Sequence, residues 1–186
     1  MSKEITNSVV SQIKSLLETA RQKVAVEVNT TLLSTYWQIG KIIVEDEQKH
    51  SDRAEYGKQT LKTLSKALTE EYGKGFSRSS LQNMRLLYLA YPKCQTLSGK
   101  LSWSHYCELL IISDEQRRSF YEKECVNARW SVRELKRQIE SSLFERLLLS
   151  GGDANKEKVL ALALNGNEIA KPEDIIRDPY VFEFLG

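Results

Sequence analysis

Residues 73–92 read GKGFSRSSLQNMRLLYLAYP, a stretch that changes character halfway along. Gly73, Lys74 and Gly75 make a break, Ser77 is a good N-cap, and Pro92 closes the segment, so the spacing predicts a helix from Ser77 to Tyr91. From Ser77 to Arg85 its residues are mostly small, polar or basic, and from Leu86 to Tyr91 all are apolar or aromatic. With no polar face left, the second half is expected to be buried on several sides, while Leu81 and Met84 point inward in the first half. The segment before it, about 54–72, carries Leu61, Leu64, Leu68 and Tyr72 at helical spacing behind a D-x-x-E start at Asp52 and Glu55. Helix, glycine turn and helix together form a helix-turn-helix pattern.

In such a unit the second helix presents its N-terminal residues to the major groove while its far end stays in the core. Ser77, Arg78, Ser79, Gln82 and Asn83 supply the hydroxyl, guanidinium and amide groups that bond phosphates and base edges. Lys74 adds charge in the turn, and Arg85 is either a phosphate contact or the partner of an internal acid. Residues 56–100 hold eight Lys and Arg against two acids, and residues 149–186 hold four against seven, so the basic excess surrounds this motif although the whole chain is only +2. A second basic group, Arg129, Arg133, Lys136 and Arg137, is placed to touch backbone phosphate or to form a solvated helix face. The same pattern also fits an ordinary pair of helices in a bundle.

On the N-terminal side, Ile5, Val9, Ile13, Leu16, Ala20, Val24, Val28, Leu32, Tyr36, Ile39 and Ile43 recur every three or four positions without Pro or Gly before Gly40. This predicts a long helical arm over about 1–50 with more apolar stripe than a small core covers, so self-association through it is expected. The alternative is a hairpin that turns near Asn29-Thr30-Thr31. Segment 45–53 reads as a charged connector. Further on, a short helix carries Trp103, Tyr106, Leu109 and Leu110. Ser113 with Gln116 and Ser131 with Glu134 mark the starts of helices over 114–127 and about 132–148. The organisation expected is an arm, a helical domain over 51–149 and a linker over 150–186 that begins a further domain. A weak helix, a polar loop and DPYVFEFLG are expected within that last segment.

Cys94, Cys107 and Cys125 are odd in number and lack C-x-x-C spacing, which implies reduced thiols rather than disulfides or zinc. No metal or cofactor is expected. No apolar run reaches the roughly 20 residues that span a bilayer, and a cytoplasmic protein without membrane contact is expected. Catalytic motifs are missing. Glu134-Leu135-Lys136 mimics a nuclease E-x-K, but residues two apart in a capped helix point to different sides.

The ordered elements YW-x-IG-x-I at 36–42, YGKQTLKTLSKALTEEYGKGFSRSSLQNMRLLYLAYP, LSWSHYCELL, RWSVRELKRQIESSLFERLL and DPYVFEFLG closely resemble the N-terminal domain of YhcG-type bacterial proteins, over nearly the whole chain. That resemblance implies a helical domain, thought to bind DNA, ahead of a PD-(D/E)xK nuclease-like domain, in proteins often encoded near restriction and phage-defence genes. The Asp and E-x-K of such a nuclease are absent from this chain, so no cleavage is implied for it. Ser77, Arg78, Ser79, Asn83, Arg85, Leu86 and Leu87, then Leu101, Ser102 and His105, then Ser131 to Glu134, are more distantly similar to the DNA-binding region of ParB-like partition proteins. There the first element is the recognition helix, while Ser104 stands here in place of a glycine, and the resemblance implies that His105 is a packing residue at a helix start.

The sequence is thus expected to form an all-α protein: a long arm followed by a helix-turn-helix-containing bundle. It is expected to bind double-stranded DNA, to self-associate, and to position an attached nuclease without being an enzyme itself. A protein-protein docking module of a defence complex is the alternative.

Overall fold

The computed structural model describes residues 2–49 and 56–149, and among them are seven α-helices, two 3-10 turns and no strand. The protein is all-α. The helices are α1 (Ser2–Lys49), α2 (Tyr56–Tyr72), α3 (Arg78–Ala90), α4 (Trp103–Leu109), α5 (Glu115–Asn127), α6 (Val132–Glu140) and α7 (Leu143–Leu149). Two compact units meet in sequence between Trp103 and Ser104, at the first turn of α4. The Asp52 and Glu55 start signal lies outside the described residues, as do the linker, weak helix, polar loop and DPYVFEFLG tail expected after Leu149. The charged segment 45–49 continues α1 and is no connector.

In the first unit, Ile43 of α1, Leu61 of α2, and Leu81 and Met84 of α3 form a buried cluster, with Leu64, Leu68, Phe76 and Trp103 packed against it. Gly40 sets how closely α1 and α3 approach: a Cβ there would lie 2.0 Å from the Met84 carbonyl oxygen. Trp37 Nε1–H donates to the Tyr91 carbonyl at 2.7 Å, satisfying an oxygen that the end of α3 leaves open. The Trp37 ring meets Tyr88 edge-on at 5.0 Å.

α1 does not turn at Asn29-Thr30-Thr31. Asn29 donates to the Gly99 carbonyl at 3.2 Å, and Gly99 presses so closely that a Cβ would lie 2.1 Å from Thr30 Oγ1. These poor helix formers instead mark where the apolar side of α1 changes. At about 100° per residue, the buried Leu33, Gly40, Ile43 and Val44 lie on one side. The same side earlier in the helix carries Ser11, Ser15, Glu18 and Gln22, all exposed. Val9, Ile13, Leu16, Leu17, Val24 and Val28 lie roughly 160° away and remain 48–70% exposed. Their side continues as Thr31, Thr35 and Gln38 and then Ile42, which is 66% exposed. The single stripe expected from the spacing is therefore two stripes on opposite faces.

In the second unit, Phe120 and Tyr121 of α5, Leu135 of α6 and Phe144 of α7 are buried, as are Tyr106 and Leu109 of α4. The N-cap of α5 is Asp114 and not Ser113: its carboxylate accepts from Arg117 N–H at 2.6 Å, and a negative charge suits a helix start better than a hydroxyl. The helix expected over 132–148 is broken. Ser142 has φ of 54°, and the Tyr121 hydroxyl takes over as acceptor for the Phe144 N–H at 3.2 Å while donating to the Gln138 carbonyl at 3.2 Å. Ser131 caps α6 as expected, accepting from Glu134 N–H. All three cysteines are free, with Cys125 buried and its thiol pushed up to about 12 by burial and by Glu122, and the other two half-buried.

Glu124 of α5 is 4% exposed, and burial raises its carboxyl from 4.5 to about 7. Between those values the unfolded chain ionises while the folded one keeps its proton, so stability falls as pH rises through this window and is level above it. Glu124→Gln is therefore expected to raise Tm at pH 8 by roughly 5 °C, with the gain vanishing below pH 4.5. Calorimetry across that range checks the sign. Gly40→Ala forces α1 and α3 apart and should cost at least about 2 kcal/mol, read from the shift in a urea midpoint.

Candidate nucleic-acid interface

α2 ends because Gly73 adopts φ of 89° and ψ of −173°, a conformation open essentially to glycine alone. Lys74–Phe76 form a 3-10 turn, tied to α2 where Thr69 Oγ1–H donates to the Phe76 carbonyl at 3.3 Å. Ser77 then caps α3: its hydroxyl oxygen accepts from Ser80 N–H at 3.3 Å and lies 3.0 Å from the hydroxyls of both Ser79 and Ser80. Its capacity is thus committed to the helix start.

Leu81, Met84 and Leu87 are fully buried, one per turn, and fix the helix on a single face. Lys74, Arg78 and Ser79 are exposed around the first turn, and Lys74 and Arg78 make no ion pair among the described residues. Gln82 and Asn83, one turn later, are half-buried, and Asn83 is engaged within the protein. Arg85 reaches back to α1, its Nε–H 2.6 Å from Glu47 Oε2. The choice left open for Arg85 by its position is answered with an internal acid. No sequence spacing links residues 47 and 85, so only the crossing of α1 and α3 reveals the pair.

The second half of α3 departs from expectation. Leu87 and Tyr91 are buried, but Leu86 is half-buried and Leu89 is 49% exposed. α1 covers one side of α3, and none of the described residues buries the side bearing Leu89. This outward face runs from Arg78 through Gln82 to Leu89, polar first and apolar last.

The remaining basic candidates belong to the second unit. Arg129 is exposed with φ of 54°, in the position that usually takes glycine after a helix, and Trp130 N–H closes the turn on the Cys125 carbonyl at 3.1 Å. The Trp130 carbonyl lies 3.1 Å from His105 Nε2. Arg133, Lys136 and Arg137 are exposed on the side of α6 away from buried Leu135, with Arg137 paired to Glu134 one turn back. Among the described residues no three His, Cys, Asp or Glu gather as for a metal, and no helix is long and apolar enough to cross a membrane.

The family model described as the DUF1016 N-terminal domain matches residues 12–146. The Escherichia coli (strain K12) protein titled "Putative nuclease YhcG" is 37% identical over 202 aligned residues, which cover 91% of this chain and 53% of that protein. The chain thus spans about half the length of this curated relative. No solved structure matches it.

Removing the Ser77 hydroxyl leaves the Ser80 N–H without its acceptor. Ser77→Ala should lower stability by about 1 kcal/mol and Ser77→Asp should preserve it, as measured by urea denaturation.

Proposed function

We propose, on the premise that the chain belongs to the DUF1016 N-terminal domain family, that it is a non-catalytic, self-associating DNA-binding domain that positions a nuclease domain. The family and the nuclease named in its half-covered relative support a nuclease-associated role. The observation that carries DNA contact is the first turn of α3: Lys74, Arg78 and Ser79 exposed immediately before a helix whose next three turns are held by Leu81, Met84 and Leu87. Rigid anchoring lowers the entropy lost when these side chains engage a duplex. The helix start offers free N–H groups and a positive dipole end to phosphate. Gln82 and Asn83 follow as candidates for base edges, and Arg85 holds α3 in place through Glu47. Arg129, Arg133 and Arg137 form a second phosphate-contacting group, with Arg129 held in a conformation that costs a non-glycine residue about 1 kcal/mol. Restriction or phage defence is the setting that the family resemblance implies.

Exposed Leu89 supports a second reading, in which this face of α3 docks on another protein of a defence complex. Salt separates the two, because phosphate contacts release counterions. A duplex titration at two salt concentrations should show Arg78→Ala binding more weakly, with the slope of log K against log salt reduced by about one. Asn83→Ala should weaken binding with the slope unchanged. Unaltered binding in both variants would assign the contact elsewhere, and salt-insensitive or absent binding of the parent favours docking.

A further inference from the structure

The outward face of α3 carries more than its basic start. At about 100° per residue, Gln82 and Leu86 lie within about 20° of the direction opposite buried Met84, and Ser79 and Leu89 within about 40°. Ser79, Gln82, Asn83 and Leu86 therefore have the i, i+3, i+4, i+7 spacing with which a recognition helix reaches base edges. The two amides at its centre differ in what they are free to do. Asn83 is engaged within the protein, whereas the Gln82 amide makes no hydrogen bond among the described residues. One turn on, Leu86 is half-buried and Leu89 is 49% exposed, so the same face ends in aliphatic side chains that still meet water.

We propose, on the premise of the DNA contact proposed above, that α3 reads A·T base pairs in the major groove: Gln82 bonds adenine, and Leu86, with Leu89 beside it, packs on thymine methyl groups. Adenine presents there an acceptor at N7 and a donor at N6, which one carboxamide matches with its own donor and acceptor. Guanine presents two acceptors and cytosine one donor, so neither satisfies both ends of Gln82. Leucine cannot bond guanine O6 or N7. Over a G·C pair it strips water from those acceptors and returns nothing, whereas over thymine it covers the C5 methyl. A protein partner fits this face less well, because Leu86 and Leu89 together leave on the order of 100 Å² of apolar surface, against the roughly 800 Å² that each side of a standard interface contributes. From Ser77 to Lys93 there is no Asp or Glu, and Glu47, which reaches α3 from α1, is held by Arg85. A polyanion laid along this face therefore meets no acid of the helix itself.

The full chain should be titrated with an alternating A·T duplex, the same duplex with uracil in place of thymine, and an alternating G·C duplex, each at two salt concentrations. Uracil keeps the hydrogen-bonding groups of thymine and lacks only the methyl. The parent should bind the thymine duplex at least about fourfold more tightly than the uracil duplex, the factor that one covered methyl supplies at about 0.8 kcal/mol, and the G·C duplex more weakly than either. Leu86→Ala should bind the thymine and uracil duplexes alike with its salt slope unchanged. Leu89→Ala, at an exposed position that leaves the core intact, should narrow the same gap, and Gln82→Ala should bind the uracil and G·C duplexes alike. A thymine preference that persists in both leucine variants comes from duplex shape and overturns the methyl contact. Equal, salt-dependent binding of all three duplexes by the parent overturns base reading and leaves DNA contact standing. Absence of salt-dependent binding to any of them overturns both and gives this face to a protein partner.

Discussion

The close crossing of α1 and α3 at Gly40 is the constraint on which the first unit depends. With no side chain at residue 40, the backbone of α1 reaches the Met84 carbonyl, and this approach brings the other ties within range. Trp37 closes on the end of α3 at Tyr91, and Glu47 closes on Arg85. Three contacts spread over about two turns, from Met84 to Tyr91, determine the position of α3 and leave its first turn exposed. Leu81 and Met84 alone would fill space, but a hydrophobic contact does not by itself set the rotation of a helix about its axis. The directional Trp37 and Arg85 bonds do.

The same helix also carries the arm. At 48 residues α1 is about 70 Å long, and among the described residues cover by its own chain is concentrated on its last third. Because the apolar side changes around Asn29–Leu33, the arm and the core segment do not compete for one surface. The loop at Gly99 clamps α1 at this point and makes the change of face a fixed feature of the unit.

The second unit relies more on buried polar groups. The Tyr121 hydroxyl joins the end of α6 to the start of α7, and the Trp130 carbonyl draws in His105 and Cys125. Such satisfied networks specify one arrangement of short helices that have little apolar area of their own. Buried Glu124 works against stability at neutral pH, and that penalty is gone in acid, where it is protonated in both the folded and the unfolded chain. Arg129 and Ser142, both at φ of 54°, likewise hold conformations that glycine would adopt more readily.

What the sequence determined by itself was whatever local physics decides. All-helical character, the stop at Gly73, and the caps at Ser77 and Ser131 depend on residues within one turn of each other, so pattern and position suffice. The inward set Leu81 and Met84 followed from spacing alone. The start of α5 was off by one residue because a serine and an aspartate stand side by side and only geometry chooses the acceptor. Tertiary structure alone decided the rest. A recurrence of three or four cannot show that a stripe moves to the opposite face over many turns, since each step is compatible with either side. Nor can it show which part of an apolar helix end stays open, as at Leu89, or that Arg85 answers to Glu47, because those outcomes depend on which distant segment arrives alongside.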